Sequence, residues 1–372
     1  MKTIAVLGAG MVGRAIAIDL ARHYSVTSFD ISRNRLESIR REKPELSIQV
    51  ADISDYSSYP ILLEGFDLVI TAVPGFLGYR TLEGVIKAGK NAVDISFFPE
   101  DALQLDAMAK EKGVTVITDC GVAPGMSNFI IGHYNKQMKI SSVECYVGGL
   151  PAHRTMPWQY KAPFSPVDVI QEYIRPARLV EGGHIVTKPA LSDREMIDFG
   201  EVGSLEAFNT DGLRSLLFTM SHIPDMKEKT LRYPGHIDLI LALQQSGFFE
   251  TEAVIIEGCP ISPLEFTSRI LIDQWKLEPD EEEFTVMRVT LHGESKTVEY
   301  NLLDRYDEAT RTSSMARTTG YTCNAAANLV LQGLFNEKGV FPPELVGEDA
   351  SCFEFVLKYL EDRSVYWRKK EY

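Results

Sequence analysis

The sequence predicts an α/β protein of two domains: an N-terminal doubly wound parallel sheet flanked by helices, then a second α+β domain carrying a mixed sheet. Three observations carry that expectation. Short β-branched runs alternate with longer amphipathic stretches over the first 120 residues, a glycine turn joins the first run to the first helix, and beyond Gly125 the rhythm gives way to segments rich in Pro, Gly and aromatic residues. A length of 372 residues suits two domains at roughly 150 residues each.

Six strands are expected in the first domain: Thr3 to Leu7, Ser25 to Asp30, Leu46 to Val50, Leu68 to Ala72, Asn91 to Asp94 and Val114 to Thr118. Helices fit between them. Met11 to Arg22 sets Val12, Ala15, Ile16 and Leu20 at helical spacing, and Asp101 to Lys112 does the same with Leu105, Met108 and Ala109 behind an acidic first turn. In the second domain Ser142 to Val147, Ala253 to Glu257 and Phe284 to Leu291 have strand patterns. The run Pro279-Asp280-Glu281-Glu282-Glu283 reads as a solvated turn, and Ala-rich Ser314 to Gly333 reads as a helix returning to the first domain. The expected boundaries are 1–127 for the first domain, completed by 315–372, and 128–314 for the second.

Composition narrows the partners. Fifty-two acidic against 38 basic residues give a net charge of −14, which repels a phosphate backbone and an anionic lipid face, so neither nucleic acid nor membrane is expected. No run approaches the ~20 apolar residues of a membrane span, and Lys2 to Leu7 starts a strand rather than a signal peptide, so the chain is read as cytoplasmic. The five cysteines are scattered and the histidines show no HExxH spacing, so neither disulfides nor a metal site is expected.

Gly8-Ala9-Gly10-Met11-Val12-Gly13 satisfies GxGxxG directly after a strand and at the opening of a helix, the context in which the pattern marks a Rossmann dinucleotide site. Asp30 ends the next strand 17 residues after Gly13, near the ~20-residue offset of a carboxylate that accepts from the adenosine ribose. That carboxylate would repel a 2′-phosphate, so NAD is expected ahead of NADP; Arg33 acts against this preference. Ligands in such a fold lie outside the carboxyl ends of the strands. Ile31, Asp52 and Ile53 are therefore candidates at the adenosine end, Ala72, Val73 and Pro74 along the cofactor, and Ser96 near the nicotinamide. Asp94 and Asp119 reach the same region.

Six further segments occur in order: DCGVAPG at 119–125, YVGGLP at 146–151, LEAFNTDG at 205–212, TLRYPGH at 230–236, MARTTGY at 315–321 and GVFPPE at 339–344. Together they resemble the saccharopine dehydrogenase family, and within it the lysine 6-dehydrogenase branch, which carries His and Ser where this chain has Asn209 and Asp211. The resemblance implies NAD-dependent oxidative deamination of the terminal amine of lysine or a lysine-like substrate, to a semialdehyde and ammonia, by a homodimer. A sister activity on a secondary amine, saccharopine or carboxynorspermidine, with NADP possible, stays open. So does a non-catalytic NAD-binding sensor.

Such a reaction makes demands on the residues. An alkylammonium titrates near ~10.4, so a base or a desolvating pocket must yield the neutral amine. Asp94, Asp119 and His236 are the candidates for proton transfer, although a strand-end Asp equally suits a cap or turn. Arg232 and then Arg317 are candidates to clamp a substrate carboxylate, against the alternative of structural ion pairs. Asn209 and Asp211 are candidates to read an α-ammonium, against an Asn-Thr-Asp-Gly turn.

Overall fold

The β-branched runs of the first domain become β1 (Thr3–Leu7), β2 (Ser25–Asp30), β3 (Ser47–Val50), β4 (Leu68–Thr71), β5 (Asn91–Asp94) and β6 (Thr115–Ile117) in a computed structural model that describes residues 1–278 and 280–372. Pro279, the first residue of the acidic run, lies outside the described residues. Ile4, Ala5, Val6 and Leu7 are all fully buried, as a strand covered by helices on both faces requires. The six strands are parallel in the order β3-β2-β1-β4-β5-β6, which places the loops after β1 and β4 on either side of the point where strand order reverses. Helix α1 (Met11–Leu20) buries Ile16, Ala17 and Leu20, and α2 (Arg33–Glu42) buries Leu36 and Ile39 behind its Ser32 N-cap.

The segment 315–372, expected to complete the first domain, does not go there as a block. Gly339–Phe341 adds a seventh parallel strand beside β6, whereas Trp367–Glu371 pairs with Thr297–Arg305 in the second sheet. The helix Ser314–Leu331 lies along α1, close enough that a Cβ on Gly320 would stand 3.2 Å from Ile16. Buried Asp19 of α1 accepts from Asn324 at 2.9 Å, Tyr359 at 2.8 Å and Arg363 at 2.8 Å, so the C-terminal helices are tied to the first domain through one carboxylate.

The second sheet is mixed. Along its main path its strands run Glu195–Asp198, Ser204–Asn209, Asp225–Arg232, Ile140–Pro151, Glu283–Gly293, Thr297–Arg305 and Trp367–Glu371, with Asp225–Arg232 parallel to Ile140–Pro151 and the other neighbours antiparallel; Ala177–Glu181, itself paired with His184–Lys188, joins Asp225–Arg232 off that path. The expected strand at Ala253 to Glu257 does not enter the second sheet: among the described residues Val254–Ile256 pairs only with Cys259–Ile261, in an exposed hairpin. The acidic run also differs from its reading as a solvated turn. Glu283 is buried and accepts the Met315 N–H at 2.9 Å, capping the start of the helix Ser314–Leu331. Among the described residues no helix is long and apolar enough to cross a membrane, and no cluster of His, Cys, Asp and Glu has metal-binding geometry.

Candidate active site

A cleft of about 1690 Å³ runs from the glycine turn, past the C-terminal ends of the parallel strands, to the strand Asp225–Arg232. A single small ligand takes ~300–1,000 Å³, so this cleft has room for a dinucleotide and a second molecule.

Its first wall is mostly backbone. Gly8 holds φ at +111°, and a Cβ there would stand 2.2 Å from the Ala72 carbonyl oxygen; a Cβ on Gly13 would stand 2.1 Å from that of Gly8. Nothing lies within 4 Å of a Cβ on Gly10, so the turn is open where a pyrophosphate would approach. Helix α1 starts there with no side-chain cap and no acidic residue in its first turn, leaving its N-terminal dipole to an outside anion. These features fit a dinucleotide. All thirteen residues assigned from sequence to the cofactor, Gly8, Gly10, Met11, Val12, Gly13, Asp30, Ile31, Asp52, Ile53, Ala72, Val73, Pro74 and Ser96, line this cleft. The Asp30 carboxylate is further engaged than its strand-end position suggests: it accepts from Ala9 N at 2.8 Å and Ser32 N at 2.7 Å, so it also fixes the glycine turn.

The second wall is charged. Along Asp225–Arg232 side chains alternate between faces, and Glu228, Thr230 and Arg232 point into the cleft. Arg232 is only 2% exposed. It donates from Nε to Tyr173 Oη at 2.9 Å, from Nη1 to the Leu231 carbonyl at 2.9 Å and from Nη2 to Glu172 at 3.3 Å, with the Tyr160 ring 4.3 Å from its guanidinium carbon. Two of its five N–H donors stay uncommitted. Glu228 differs: among the described residues its buried carboxylate makes no hydrogen bond and no ion pair. It packs on Gly212, where a Cβ would fall 1.8 Å from Oε1, so only glycine leaves room for it. Burial, reinforced by the charges of Glu172 and Asp211, pushes the Glu228 carboxyl up to about 8. Burial also lifts Glu172 to about 7, against the pull of Arg232.

Of the residues proposed for proton transfer, Asp119 alone lines the cleft. Its Oδ1 accepts from Arg214 Nε at 2.8 Å; burial raises its pKa and Arg214 opposes the rise. Asp94 lies one layer beneath the wall. It is fully buried, accepts from Thr71 Oγ1 and is raised to about 7 by burial, and the backbone carries Ile95 and Ser96 to the surface in its place. His236 is also off the wall. Its Nδ1 faces the Trp158 carbonyl at 2.8 Å and must be the protonated nitrogen, so Nε2 accepts from Tyr173 Oη at 3.0 Å, and that oxygen accepts from Arg232. Burial, and then Arg232, lower its pKa to about 3. Its ring thus holds the Tyr173 hydroxyl that receives Arg232, and does not itself line the cleft.

Three residues proposed to touch substrate do not reach the cleft. Asn209 donates to Ser192 at 3.1 Å and Asp193 at 3.0 Å; Asp211 forms a two-pronged pair with Arg178 at 2.8 and 2.9 Å; Arg317 pairs with Asp304 at 3.2 Å and with Asp307. Asn209 and Asp211 therefore hold second-domain elements together, and Arg317 ties the helix Ser314–Leu331 to the strand Thr297–Arg305 and the turn after it. Glu228 and Glu172 were missed. Glu228 sits between Lys227 and Lys229, which reads as a solvated charged strand; its place four residues before Arg232, two steps of the strand's two-residue period, is the signal that would have put it on the same face.

Comparison with known proteins agrees with this geometry. The model of the saccharopine dehydrogenase NADP binding domain matches residues 4–117, and that of the saccharopine dehydrogenase C-terminal domain matches residues 121–365. The mitochondrial alpha-aminoadipic semialdehyde synthase of Mus musculus is 23% identical over 421 residues, covering 92% of this chain and 45% of its own length. The saccharopine dehydrogenase [NADP(+), L-glutamate-forming] of Saccharomyces cerevisiae is 24% identical over 279 residues, covering 70% of this chain and 61% of its own length. This chain thus spans about half the length of curated relatives it matches. The apo structure of saccharopine dehydrogenase (L-Glu forming) from S. cerevisiae superposes with a TM-score of 0.80 at 20% identity, covering 100% of both chains, and so has the same fold. With both of its domains matched in order, and with the dinucleotide cradle and charged wall facing one cleft, the chain belongs to the saccharopine dehydrogenase family.

Proposed function

We propose that this protein is a nicotinamide-dinucleotide-dependent dehydrogenase that oxidises a carbon bearing an amine nitrogen, with the terminal amine of lysine or a lysine-like amino acid as the leading substrate and ammonia and a semialdehyde as products. The observation that carries the reading is Glu228, an unpaired carboxylate buried in the wall of the cleft that also holds the dinucleotide cradle. Once ionised, a carboxylate without a partner in a desolvated wall attracts a cation, and an ammonium both supplies the charge and needs to lose a proton. A carboxyl near 8 is tuned to take that proton at mildly basic pH. The free edge of Arg232, fixed by Tyr173 and Glu172, suits the carboxylate of the same amino acid. When bound, the nicotinamide supplies the hydride acceptor. Phe97, Val147 and Phe164 line the cleft and reduce water around the reacting carbon.

A second reading, oxidation of a secondary amine of the saccharopine type, is favoured by the cleft's volume and by the names of the relatives. Cofactor choice divides in the same way. The relatives' names carry NADP, and Arg35, Ser38 and Arg41 on the cleft side of α2 could receive a 2′-phosphate, yet Arg35 stands 3.8 Å from the Asp30 carboxylate that would repel one. We place NAD first on the strength of Asp30. The test is absorbance at 340 nm with purified protein at about pH 9, offering lysine, ornithine, saccharopine and carboxynorspermidine with NAD and with NADP. Lysine turnover with ammonia release supports the leading reading. Turnover on secondary amines alone selects the second, and dinucleotide binding without turnover of any amine rejects both in favour of a non-catalytic binding protein.

A further inference from the structure

Arg232 does not stand alone at its end of the charged wall. Glu172 reaches the same surface from the helix Pro166–Ile174, lines the cleft, and meets Arg232 Nη2 through Oε2 at 3.3 Å. Its side chain keeps 16% of its surface exposed, and among the described residues its Oε1 makes no hydrogen bond. With two N–H groups of Arg232 also uncommitted, the pair presents a cation and an anion side by side. A carboxylate and an ammonium on one carbon are the complement of that arrangement. Asp168, one helical turn earlier, lines the cleft too but faces elsewhere: a Cβ on Gly75 would stand 3.1 Å from its Oδ1, so it lies against the first domain. Between the pair and Glu228 the wall changes character. Glu228 is four residues from Arg232, ~13 Å between Cα atoms at the usual strand rise, and Thr230 lies between them on the same face. The Thr230 hydroxyl is bonded at 2.9 Å to that of Thr210, which also lines the cleft, so the middle of the wall offers no charge. That order of ion pair, uncharged middle and lone carboxylate suits a zwitterionic head, a methylene chain and a second amine.

We propose that Glu172 binds the α-ammonium of the substrate beside the carboxylate held by Arg232, so that the site selects α-amino acids with a second amine at the chain's far end over ω-amino acids and simple diamines. The proposal rests on the amine-oxidation reading for the amine that reacts at Glu228, and adds the subsite that holds the other end. An ω-amino acid leaves Glu172 without its cation, and a diamine leaves Arg232 without its anion. Either omission leaves a desolvated charge facing the ligand unpaired, which costs more than a contact merely absent. A substituent on the far nitrogen does not alter the head, so the subsite serves lysine and a secondary amine built on lysine alike.

Lysine, ε-aminocaproate and cadaverine share one chain and one terminal amine and differ only at the head: the second lacks the α-ammonium and the third the carboxylate. The comparison is made under saturating dinucleotide at about pH 8, where Glu172, lifted by burial to about 7, is ionised. Lysine should exceed either analogue in kcat/KM by about tenfold or more, the loss expected of one hydrogen bond to a charged group, and the difference should fall on KM. Glu172→Gln should shrink the ratio of lysine to ε-aminocaproate about tenfold, and Glu172→Asp should restore part of it. If Glu172 only orients Arg232, its loss weakens both compounds alike, since both present the carboxylate. An unchanged ratio therefore overturns the proposal, as does a wild type that takes ε-aminocaproate as well as lysine. If lysine is not oxidised, the functional reading fails separately, and calorimetric titration of the same three compounds into the dinucleotide complex reads the subsite. Tighter binding of lysine than of either analogue then supports it, and equal affinities, or no binding of lysine, overturn it.

Discussion

Between Gly8 and Gly13 the cleft wall is glycine and main-chain N–H from six consecutive residues, whereas at Glu172, Glu228 and Arg232 it is charged side chains gathered from a helix and a strand. The first wall makes room: a Cβ at Gly8 or Gly13 would overlap backbone, and the N-terminus of α1 is left uncapped. The second wall makes charge, and every charged member but Glu228 is compensated by a neighbour. A backbone cradle accepts any dinucleotide pyrophosphate and says little about chemistry, while an unpaired buried carboxylate selects a cation. If this division is right, the two walls can be damaged separately.

The largest expected effect is on the charged wall. Glu228→Gln keeps the shape against Gly212 but removes the proton acceptor, so kcat should fall by about 10²–10⁴ while dinucleotide affinity is unchanged. Paired kinetics and fluorescence titration check this, and a variant that loses both together would show that the walls are not separable. Gly8→Ala is the reciprocal experiment. A Cβ 2.2 Å from the Ala72 oxygen, on a residue at φ +111°, should weaken dinucleotide binding roughly 10–100-fold, as strain of ~1–3 kcal/mol implies. The variant should leave the second sheet intact by near-UV circular dichroism. Asp30→Ala should act more finely, moving the NAD/NADP affinity ratio about tenfold toward NADP by removing the carboxylate beside Arg35. An unmoved ratio would assign Asp30 to anchoring Ala9 and Ser32 alone.

The smallest effect is on stability. Glu228 at about 8 and Glu172 at about 7 are raised, so between the ordinary carboxylate range and those values the folded protein holds protons that the unfolded chain releases. Stability therefore falls as pH rises through that window. Thermal melts between pH 6 and 9 should show Tm declining for the wild type and declining less, by a few degrees, for Glu228→Gln. Equal slopes would mean that Glu228 is not held protonated by its surroundings.

The same comparison explains what could be read from the sequence. The glycine turn, Asp30 and the loops after β3 and β4 are specified by residues close together in the chain, and the strand-helix rhythm locates them without knowledge of the second domain. The seventh strand, Gly339–Phe341, is three residues long and finds its place only by pairing with β6 from the far end of the chain. The charged wall depends on register in the same way. Arg232 carried a signal through its Arg-Tyr-Pro-Gly-His setting, but Glu228 becomes a cleft residue only because Asp225–Arg232 pairs in parallel with Ile140–Pro151 and turns one face to the first domain's loops. Asn209, Asp211 and Arg317 lie off the cleft for the matching reason. Their partners, Asp193, Arg178 and Asp304, come from other strands and turns whose proximity no local pattern reveals.

The most direct test of the account is the pH dependence of amine oxidation, followed at 340 nm from pH 6 to 10 under saturating dinucleotide, for the wild type and Glu228→Gln side by side. The wild-type rate should rise with an apparent pKa near 8, the value that burial gives Glu228, because the carboxylate accepts a proton only once ionised. The variant should be slower by about 10² or more and lack that inflection. A variant that oxidises the same amine at the wild-type rate, with the inflection still in place, would contradict the assignment of Glu228 and with it the reading of the charged wall.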